Sequence, residues 1–314
     1  MKKSRLILLS LLSAVAGSLS FVTYKRYLQD MTYAWRTVLN SSRIADTACG
    51  PIEFAEFGTG YPVLVVHGAG GGYDQGLAVA RLQGGDFRCI AMSRFGYLRT
   101  PMPLNASPAT QADAHAALLD TLEISKAAVI GVSAGSPSAS HFAQKYPHRC
   151  KALILISAVS GPIKLRSPLR NLIYGVIYRS DFASWLAATI TRPSSVPPFN
   201  VPGSVKAQLS IEDLNWLDEF IQTTLPASSR HVGMLADIEQ IAEIHPIPLG
   251  EIEAPTLIVH AANDGTVPIE QAYHSHEQIQ NSQLLEIPDG GHLLMGQHDL
   301  VKEQVMNFLL EHTK

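Results

Sequence analysis

One stretch decides the fold of this chain: residues 127–135 read AAVIGVSAG. The first six of these residues form a continuous apolar run, which is typical of a strand buried on both faces of a sheet. Residues 134–146 have a helical pattern, so the strand is predicted to pass into a helix through a tight turn. Residues 131–135 match G-x-S-x-G, in which such a turn strains the serine backbone and exposes its hydroxyl above the sheet. Ser133 is therefore the candidate nucleophile.

Strand-like and helix-like segments alternate on both sides of this turn. Further strands are predicted at residues 52–57, 62–67, 87–93, 152–157, 256–261 and 283–287, and further helices at residues 108–122 and 301–312. This alternation predicts an α/β fold, with a mostly parallel sheet and helices on both of its faces. Residues 161–250 show no strand pattern, but they contain helix-like pieces and a proline-rich stretch at 192–202. We therefore predict a core of residues 46–160 and 251–314, with a helical cap at 161–250.

The composition excludes several classes of protein. Of the 314 residues, 46% are hydrophobic and 16% are charged, which excludes a disordered chain. The 24 basic and 27 acidic residues give a net charge of −3 without a strong basic run, which argues against nucleic acid as a partner. Three scattered cysteines do not predict a disulfide framework, and no Cys/His cluster indicates a metal. The sequence implies neither a metal nor an organic cofactor.

Residues 1–45 are predicted to be a membrane anchor or signal segment followed by a helical tether. Basic residues precede an uncharged run from Leu6 to Val22, and Lys25 and Arg26 follow it. The run is at the short end of the ~17–25 residues of a membrane-spanning helix. We expect the membrane to be a partner through an uncleaved anchor, or export if the segment is cleaved near Ala16. Basic residues at both ends leave the side of the membrane undecided.

A serine hydroxyl needs a base to take its proton, and one of the 12 histidines stands apart. His292 follows the last predicted strand, in a loop where Gly290 and Gly291 allow the imidazole to reach over the sheet. Asp264 lies just past the strand at 256–261, where a carboxylate can hold the histidine tautomer. Ser133, Asp264 and His292 all lie beyond the carboxyl ends of parallel strands, where open α/β sheets place their sites. They are the predicted catalytic residues.

Two backbone amides are candidates to stabilise an oxyanion near the serine. The amide of Ala134 lies at a helix N-terminus, where unpaired N–H groups favour negative charge. The loop after the strand at 62–66 reads His67-Gly68-Ala69-Gly70-Gly71-Gly72, and its glycines allow N–H groups to point into a cleft. We predict the amide of Ala69 as the second donor, with that of Gly70 as the alternative.

Taken together, these blocks resemble the α/β-hydrolase superfamily over about residues 50–314. The resemblance rests on the glycine run after His67, Ser93-Arg94-Phe95-Gly96-Tyr97, the Ser133 turn, the Asp264 loop and Gly290-Gly291-His292, in that order. The second block looks like the haloperoxidase/esterase-like branch. The resemblance implies an eight-stranded, mostly parallel sheet with a cap inserted after the sixth strand.

The expected chemistry is cleavage of a carboxylic ester, with an acyl-enzyme on Ser133 that water then hydrolyses. Apolar pieces of the predicted cap at residues 172–178 and 182–186 predict a small, apolar acyl substrate. A cofactor-free haloperoxidase or perhydrolase, and a carbon–carbon bond hydrolase, are alternatives that use the same three residues. A non-catalytic binding protein on the same fold is a further alternative, against which the intact serine, aspartate and histidine argue.

Overall fold

A computed structural model describes residues 2–82, 86–163, 175, 177–190 and 201–313. The chain divides into two compact units, Met1–Asn40 and Ser41–Lys314. The predicted helix-like piece at 172–178 and the proline-rich stretch at 192–202 lie largely outside the described residues.

The first unit is a single helix, α1 (Lys2–Asn40), of 39 residues. Between Gly17 and Asn40 this helix carries four charged residues, Lys25, Arg26, Asp30 and Arg36, and ionised groups are costly in hydrocarbon. Among the residues that the structure describes, no helix is both long enough and apolar enough to cross a bilayer. The predicted transmembrane anchor and the membrane localisation inferred from it are therefore wrong.

The second unit is built on an eight-stranded sheet, which confirms the predicted fold class. Its strands are β1 (Arg43–Thr47), β2 (Gly50–Phe57), β3 (Tyr61–Val66), β4 (Phe87–Met92), β5 (Ala127–Val132), β6 (Cys150–Ile156), β7 (Thr256–Ala261) and β8 (Ser282–Ile287). Their order is β1-β2-β4-β3-β5-β6-β7-β8. The pairs β1–β2 and β2–β4 are antiparallel, and the remaining pairs are parallel. The sequence pattern does not predict β1.

The helices of the second unit follow the strands. Those with bounds within the described residues are α2 (Tyr73–Leu82), α3 (Pro108–Thr121), α4 (Ser136–Lys145), α5 (Asp181–Ile190), α6 (Gly203–Lys206), α7 (Ile211–Gln222), α8 (His231–Ala242), α9 (Glu270–Gln278) and α10 (His298–His312). Four of them, α5 to α8, lie in the chain between β6 and β7. Within the described residues of 161–250 there are helices and no strand.

The central strands form the buried core, and the loops that follow them carry the site residues. Residues Val63–Val66 of β3 and Ala127–Ile130 of β5 are completely buried, which requires cover on both faces of the sheet. Since β3, β5, β6, β7 and β8 are parallel, their carboxyl ends share one edge of the sheet. The loops that begin there carry the glycine run, Ser133, Asp264 and His292, as expected for an open α/β sheet.

Candidate active site

Ser133 lies in a single 3₁₀ turn, Ser133–Gly135, between the end of β5 and the start of α4. Its backbone has φ +49°, a left-handed conformation that a residue with a side chain rarely adopts. The flanking glycines make this turn possible. A Cβ atom at Gly135 would lie 2.4 Å from the carbonyl oxygen of His67, and one at Gly131 would lie 2.7 Å from Cβ of Ala139. The strain and the close packing place a half-buried serine hydroxyl at the edge of the sheet.

The structure brings the three predicted side chains into contact. Nε2 of His292 lies 3.0 Å from Oγ of Ser133, and Nδ1 of the same ring lies 2.7 Å from Oδ2 of Asp264. The Asp264 side chain is fully buried and that of His292 is 7% exposed. With Nδ1–H donating to the carboxylate, Nε2 has a lone pair available to accept the serine proton.

The environment of Asp264 keeps its carboxylate ionised. Oδ1 accepts hydrogen bonds from the amides of Thr266 at 2.8 Å and Val267 at 3.0 Å. Burial by itself raises the pKa of Asp264, but attraction by His292 and hydrogen bonds from His260, His292 and Val267 hold it well below its usual range. An ionised carboxylate is the form that fixes the tautomer of His292.

His260, in β7, is a site neighbour that the sequence analysis did not single out. Its Nε2 donates to the carbonyl oxygen of Val267 at 3.0 Å and lies 3.3 Å from Oδ2 of Asp264. The side chain is completely buried. A histidine inside the apolar strand at 256–261 is a signal that could have identified it, because a buried polar group needs a partner.

The loop that carries His292 is hydrogen-bonded to residues that follow two strands, β6 and β7. Oγ of Ser157, directly after β6, donates to the carbonyl oxygen of His292 at 2.8 Å. From the loop after β7, Oδ1 of Asn263 accepts the amide of Gly291 at 2.9 Å. Positive φ at Gly290 and Gly291, +150° and +63°, lets the backbone turn the imidazole over the sheet edge.

The glycine-bearing loop after β3 runs directly beside the serine. A Cβ at Gly68 would lie 3.3 Å from Cβ of Ser133. The amide of Gly68 donates to Oε1 of Gln75 at 2.9 Å, and that of Gly70 to the hydroxyl of Tyr97 at 3.2 Å. Among the hydrogen bonds of the described residues, the amide of Ala69 has no partner. The predicted alternative donor, Gly70, is already engaged.

Comparison with known proteins places this architecture in a family. The family described as alpha/beta hydrolase fold matches residues 61–299. The chain belongs to the α/β-hydrolase family.

Two curated relatives of this α/β-hydrolase cover most of its length. It is similar to the uncharacterized hydrolase YcgS of Bacillus subtilis, at 29% identity over 260 residues, which are 78% of this chain and 89% of the relative. It is also similar to a 2-hydroxy-6-oxo-2,4-heptadienoate hydrolase of Pseudomonas putida, at 26% identity over 257 residues, 76% of this chain and 84% of the relative.

Solved structures of the same fold also match this α/β-hydrolase. An alpha/beta hydrolase fold protein from Nakamurella multipartita has a TM-score of 0.70 and 28% identity, over 86% of this chain and 99% of that chain. A thermophilic esterase from Thermogutta terrifontis has a TM-score of 0.68 and 25% identity, over 87% of this chain and 99% of that chain.

Another histidine close to the site of this α/β-hydrolase, His67, has a structural role. His67 is completely buried, with Nδ1 2.7 Å from the carbonyl oxygen of Gly68 and Nε2 3.0 Å from the amide nitrogen of Arg94. Burial and the charge of Arg94 hold the pKa of His67 well below its usual range. Both ring nitrogens are occupied in a neutral imidazole, so His67 braces the loop and is not available as a base.

Proposed function

We propose that this α/β-hydrolase is a carboxylesterase that acts through an acyl-enzyme on Ser133. The observation that carries the proposal is the continuous line of contacts from Asp264 through His292 to Ser133, at a serine held with positive φ. Geometry of this kind, with nucleophile, base and orienting acid within hydrogen-bond reach, is the signature of an activated serine. The similarity to the Thermogutta terrifontis esterase supports the proposed esterase activity.

The proposed reaction has two half-reactions. Oγ of Ser133 attacks the ester carbonyl while Nε2 of His292 takes the hydroxyl proton, and the ionised Asp264 stabilises the imidazolium. The imidazolium then gives its proton to the leaving alcohol, and the acyl group stays on Ser133. In the second half-reaction water attacks the acyl-enzyme as His292 takes a proton from it, and the imidazolium then returns a proton to Oγ of Ser133 as the carboxylic acid leaves.

Two amides are proposed to hold the oxyanion in both half-reactions. The amide of Ala134 lies directly after the nucleophile, in the turn that opens α4. The amide of Ala69 is proposed as the second donor because Gly68 and Gly70 on either side of it donate elsewhere. Loss of one such donor typically costs about 10²–10³ in kcat.

We propose that residues 161–250 form a cap over a core of residues 46–160 and 251–314. Gly70, in the loop beside Ser133, supports this proposal. A Cβ at Gly70 would lie 3.9 Å from Sδ of Met234 in α8 and 4.0 Å from the hydroxyl of Tyr178. Residues of the segment between β6 and β7 therefore come within van der Waals distance of that loop.

The proposed substrate is an ester with a neutral, apolar acyl chain of short to medium length. Met234 and Tyr178 offer mainly apolar atoms beside the loop. The two buried arginines near the same loop, Arg94 and Arg230, are each paired with an aspartate at 2.6 Å. Arginines neutralised in this way do not provide a strong clamp for an anionic substrate.

A series of p-nitrophenyl esters from acetate to laurate tests the proposal, with Ser133→Ala as the inactive control. Each methylene that fits gains up to about 0.8 kcal/mol, or nearly fourfold in kcat/KM, so the profile should rise and then fall sharply. A flat profile or a preference for charged acyl groups would contradict an apolar pocket. No turnover of any ester would contradict the esterase itself.

Carbon–carbon bond hydrolysis is the second candidate, favoured by the similarity to the Pseudomonas putida enzyme. A 2-hydroxy-6-oxo-dienoate substrate carries a carboxylate, whereas the described arginines near the loop are paired. The same purified protein is therefore assayed with such a dienoate, whose loss is followed by its absorbance. Turnover of the dienoate with no ester turnover would replace the esterase with this second function.

A further inference from the structure

A buried aspartate from the segment between β6 and β7 contacts two residues of the Ser93–Tyr97 block. Asp237 lies in α8, and its side chain is 7% exposed. Arg94 donates to its two carboxylate oxygens at 2.8 and 2.6 Å, and the hydroxyl of Tyr97 donates to Oδ2 at 2.5 Å. These three side chains form a network that the proposed chemistry does not itself use.

The other contacts of this network lead to the loop beside Ser133. Nε of Arg94 donates to the carbonyl oxygen of His67 at 2.9 Å, and a terminal nitrogen of its guanidinium donates to that of Gly68 at 3.1 Å. The hydroxyl oxygen of Tyr97 accepts the amide of Gly70 at 3.2 Å. The backbone is thus held just before and just after Ala69.

The direction of the hydrogen bonds through Tyr97 is determined by its neighbours. Burial and the nearby charge of Asp237 raise the pKa of Tyr97 well above its usual range, so the hydroxyl keeps its proton. That proton is donated to the carboxylate of Asp237, which leaves an oxygen lone pair directed to the amide of Gly70. Without the carboxylate, nothing in this network would hold the hydroxyl in that orientation.

We propose that Asp237 is a positioning residue for the oxyanion hole, acting through Tyr97 and Arg94 on the loop that presents the amide of Ala69. The orientation of that amide then depends on α8 as well as on the sheet. This inference rests on the proposed function, in which the Ala69 amide binds the oxyanion.

Two further contacts show that α8 is closely joined to this part of the molecule. The amide of Gly233, in the first turn of α8, donates to the carbonyl oxygen of Gly96 at 3.0 Å, and a Cβ at Gly233 would lie 2.2 Å from the ring of Tyr97. Arg230, completely buried before α8, donates to the carbonyl oxygen of Gly71 at 2.8 Å. The segment thus contacts the loop directly through Arg230, and it contacts the Ser93–Tyr97 block, which holds the other end of the loop, through Gly233 and Asp237.

The variant Tyr97→Phe tests the proposal because it removes a single oxygen atom and leaves the Arg94–Asp237 pair in place. Tyr146→Phe is the matched control. The hydroxyl of Tyr146 donates to Oδ1 of Asp113 at 2.7 Å, so the control also removes a tyrosine–aspartate hydrogen bond, but at the end of α4 remote from Ser133. Asp237→Asn is the second test variant.

The main readout is the affinity for an alkyl boronic acid, set beside kcat and KM for a p-nitrophenyl ester. Oγ of Ser133 adds to boron as its proton passes to His292, and the tetrahedral adduct places an oxygen where the oxyanion forms. We expect Tyr97→Phe to lower kcat by at least about tenfold, with little change in KM. The loss should be smaller than the roughly 10²–10³-fold loss in kcat that follows deletion of an oxyanion donor. The inhibition constant should rise by the same factor, and Asp237→Asn should act in the same direction.

The outcomes separate this inference from the proposed function. A Tyr97→Phe variant with the kcat and boronic acid affinity of Tyr146→Phe would overturn the positioning role. A fall in kcat with an equal rise in KM and a loss of thermal stability would also overturn it, in favour of a purely structural role. If the wild-type chain turns over no ester, the proposed esterase fails. The rate of Ser133 labelling by a fluorophosphonate then decides the inference, which is overturned if Tyr97→Phe labels at the wild-type rate or if the wild type does not label.

Discussion

The imidazole of His292 is bound to Asp264 through Nδ1 at 2.7 Å, and this contact decides which ring nitrogen faces Ser133. Burial and the surrounding donors keep Asp264 ionised, so the carboxylate accepts the Nδ1 proton. The opposite nitrogen, Nε2, is then free to accept the hydroxyl proton of Ser133 at 3.0 Å. The base and its orientation are thus parts of one arrangement.

Replacement of Asp264 by asparagine should lower kcat by about 10⁴, because an amide donates where the carboxylate accepts and so reverses the tautomer. Oδ1 of the asparagine can still accept the amides of Thr266 and Val267, so the fold should survive. Ester turnover and the thermal unfolding midpoint are measured on the same preparation. A near-wild-type kcat in a folded Asp264→Asn variant would mean that another acid orients His292.

The turn around Ser133 should tolerate no side chain at Gly135. A Cβ there would lie 2.4 Å from the carbonyl oxygen of His67, which is backbone and cannot rotate away. We expect Gly135→Ala to lose about 3 kcal/mol in the free energy of unfolding, at the upper end for overpacking, together with most of its activity. The control is Gly203→Ala, where a Cβ would meet no atom within 4 Å. Chemical denaturation measures both; equal stabilities would refute the packing argument.

Buried neutral histidines should make the fold sensitive to mild acid. Burial lowers the pKa of His115 from 6.5 to about 3, so the unfolded chain takes up a proton first as the pH falls. Stability from this group is therefore complete above about pH 6.5 and is lost progressively down to about pH 3. Between pH 7 and pH 5 it contributes a loss of about 2 kcal/mol. Chemical denaturation of wild type and His115→Gln should show a shallower pH dependence in the variant.

A chain that begins at Ser41 should keep the esterase activity. The second compact unit is Ser41–Lys314, and it contains the whole sheet and every residue placed in the site. We therefore expect kcat/KM within about twofold of that of the full chain, which corresponds to a difference of well under about 1 kcal/mol in activation free energy. Loss of activity in a folded truncated protein would show that residues 1–40 contribute to catalysis.

Much of the site was predictable from the sequence because sheet topology brings distant residues to one place. Ser133, Asp264 and His292 each follow a strand of the parallel part, and the ends of such strands share one edge. The glycines around Ser133 were equally informative, since the close approaches at Gly131 and Gly135 exclude side chains.

Other features could not be read from local patterns. Strand β1 is five residues long, only one of them is buried, and it is defined by its antiparallel pairing with β2. The contact of Asp237 with Arg94 joins residues 143 positions apart, and neither residue type at those positions predicts the other. The predicted anchor rested on the uncharged run from Leu6 to Val22, but among the described residues no helix is both long enough and apolar enough to cross a bilayer.

The central claim is that an acyl group is carried on Ser133, and rapid-quench mass spectrometry of wild type with p-nitrophenyl butyrate tests it most directly. After acid quench and proteolysis, we expect a butyryl group on the peptide that contains Ser133, formed together with a burst of p-nitrophenol. The Ser133→Ala variant should show neither the adduct nor the burst. A butyryl group on another residue, or ester turnover by Ser133→Ala at the wild-type rate, would contradict the claim.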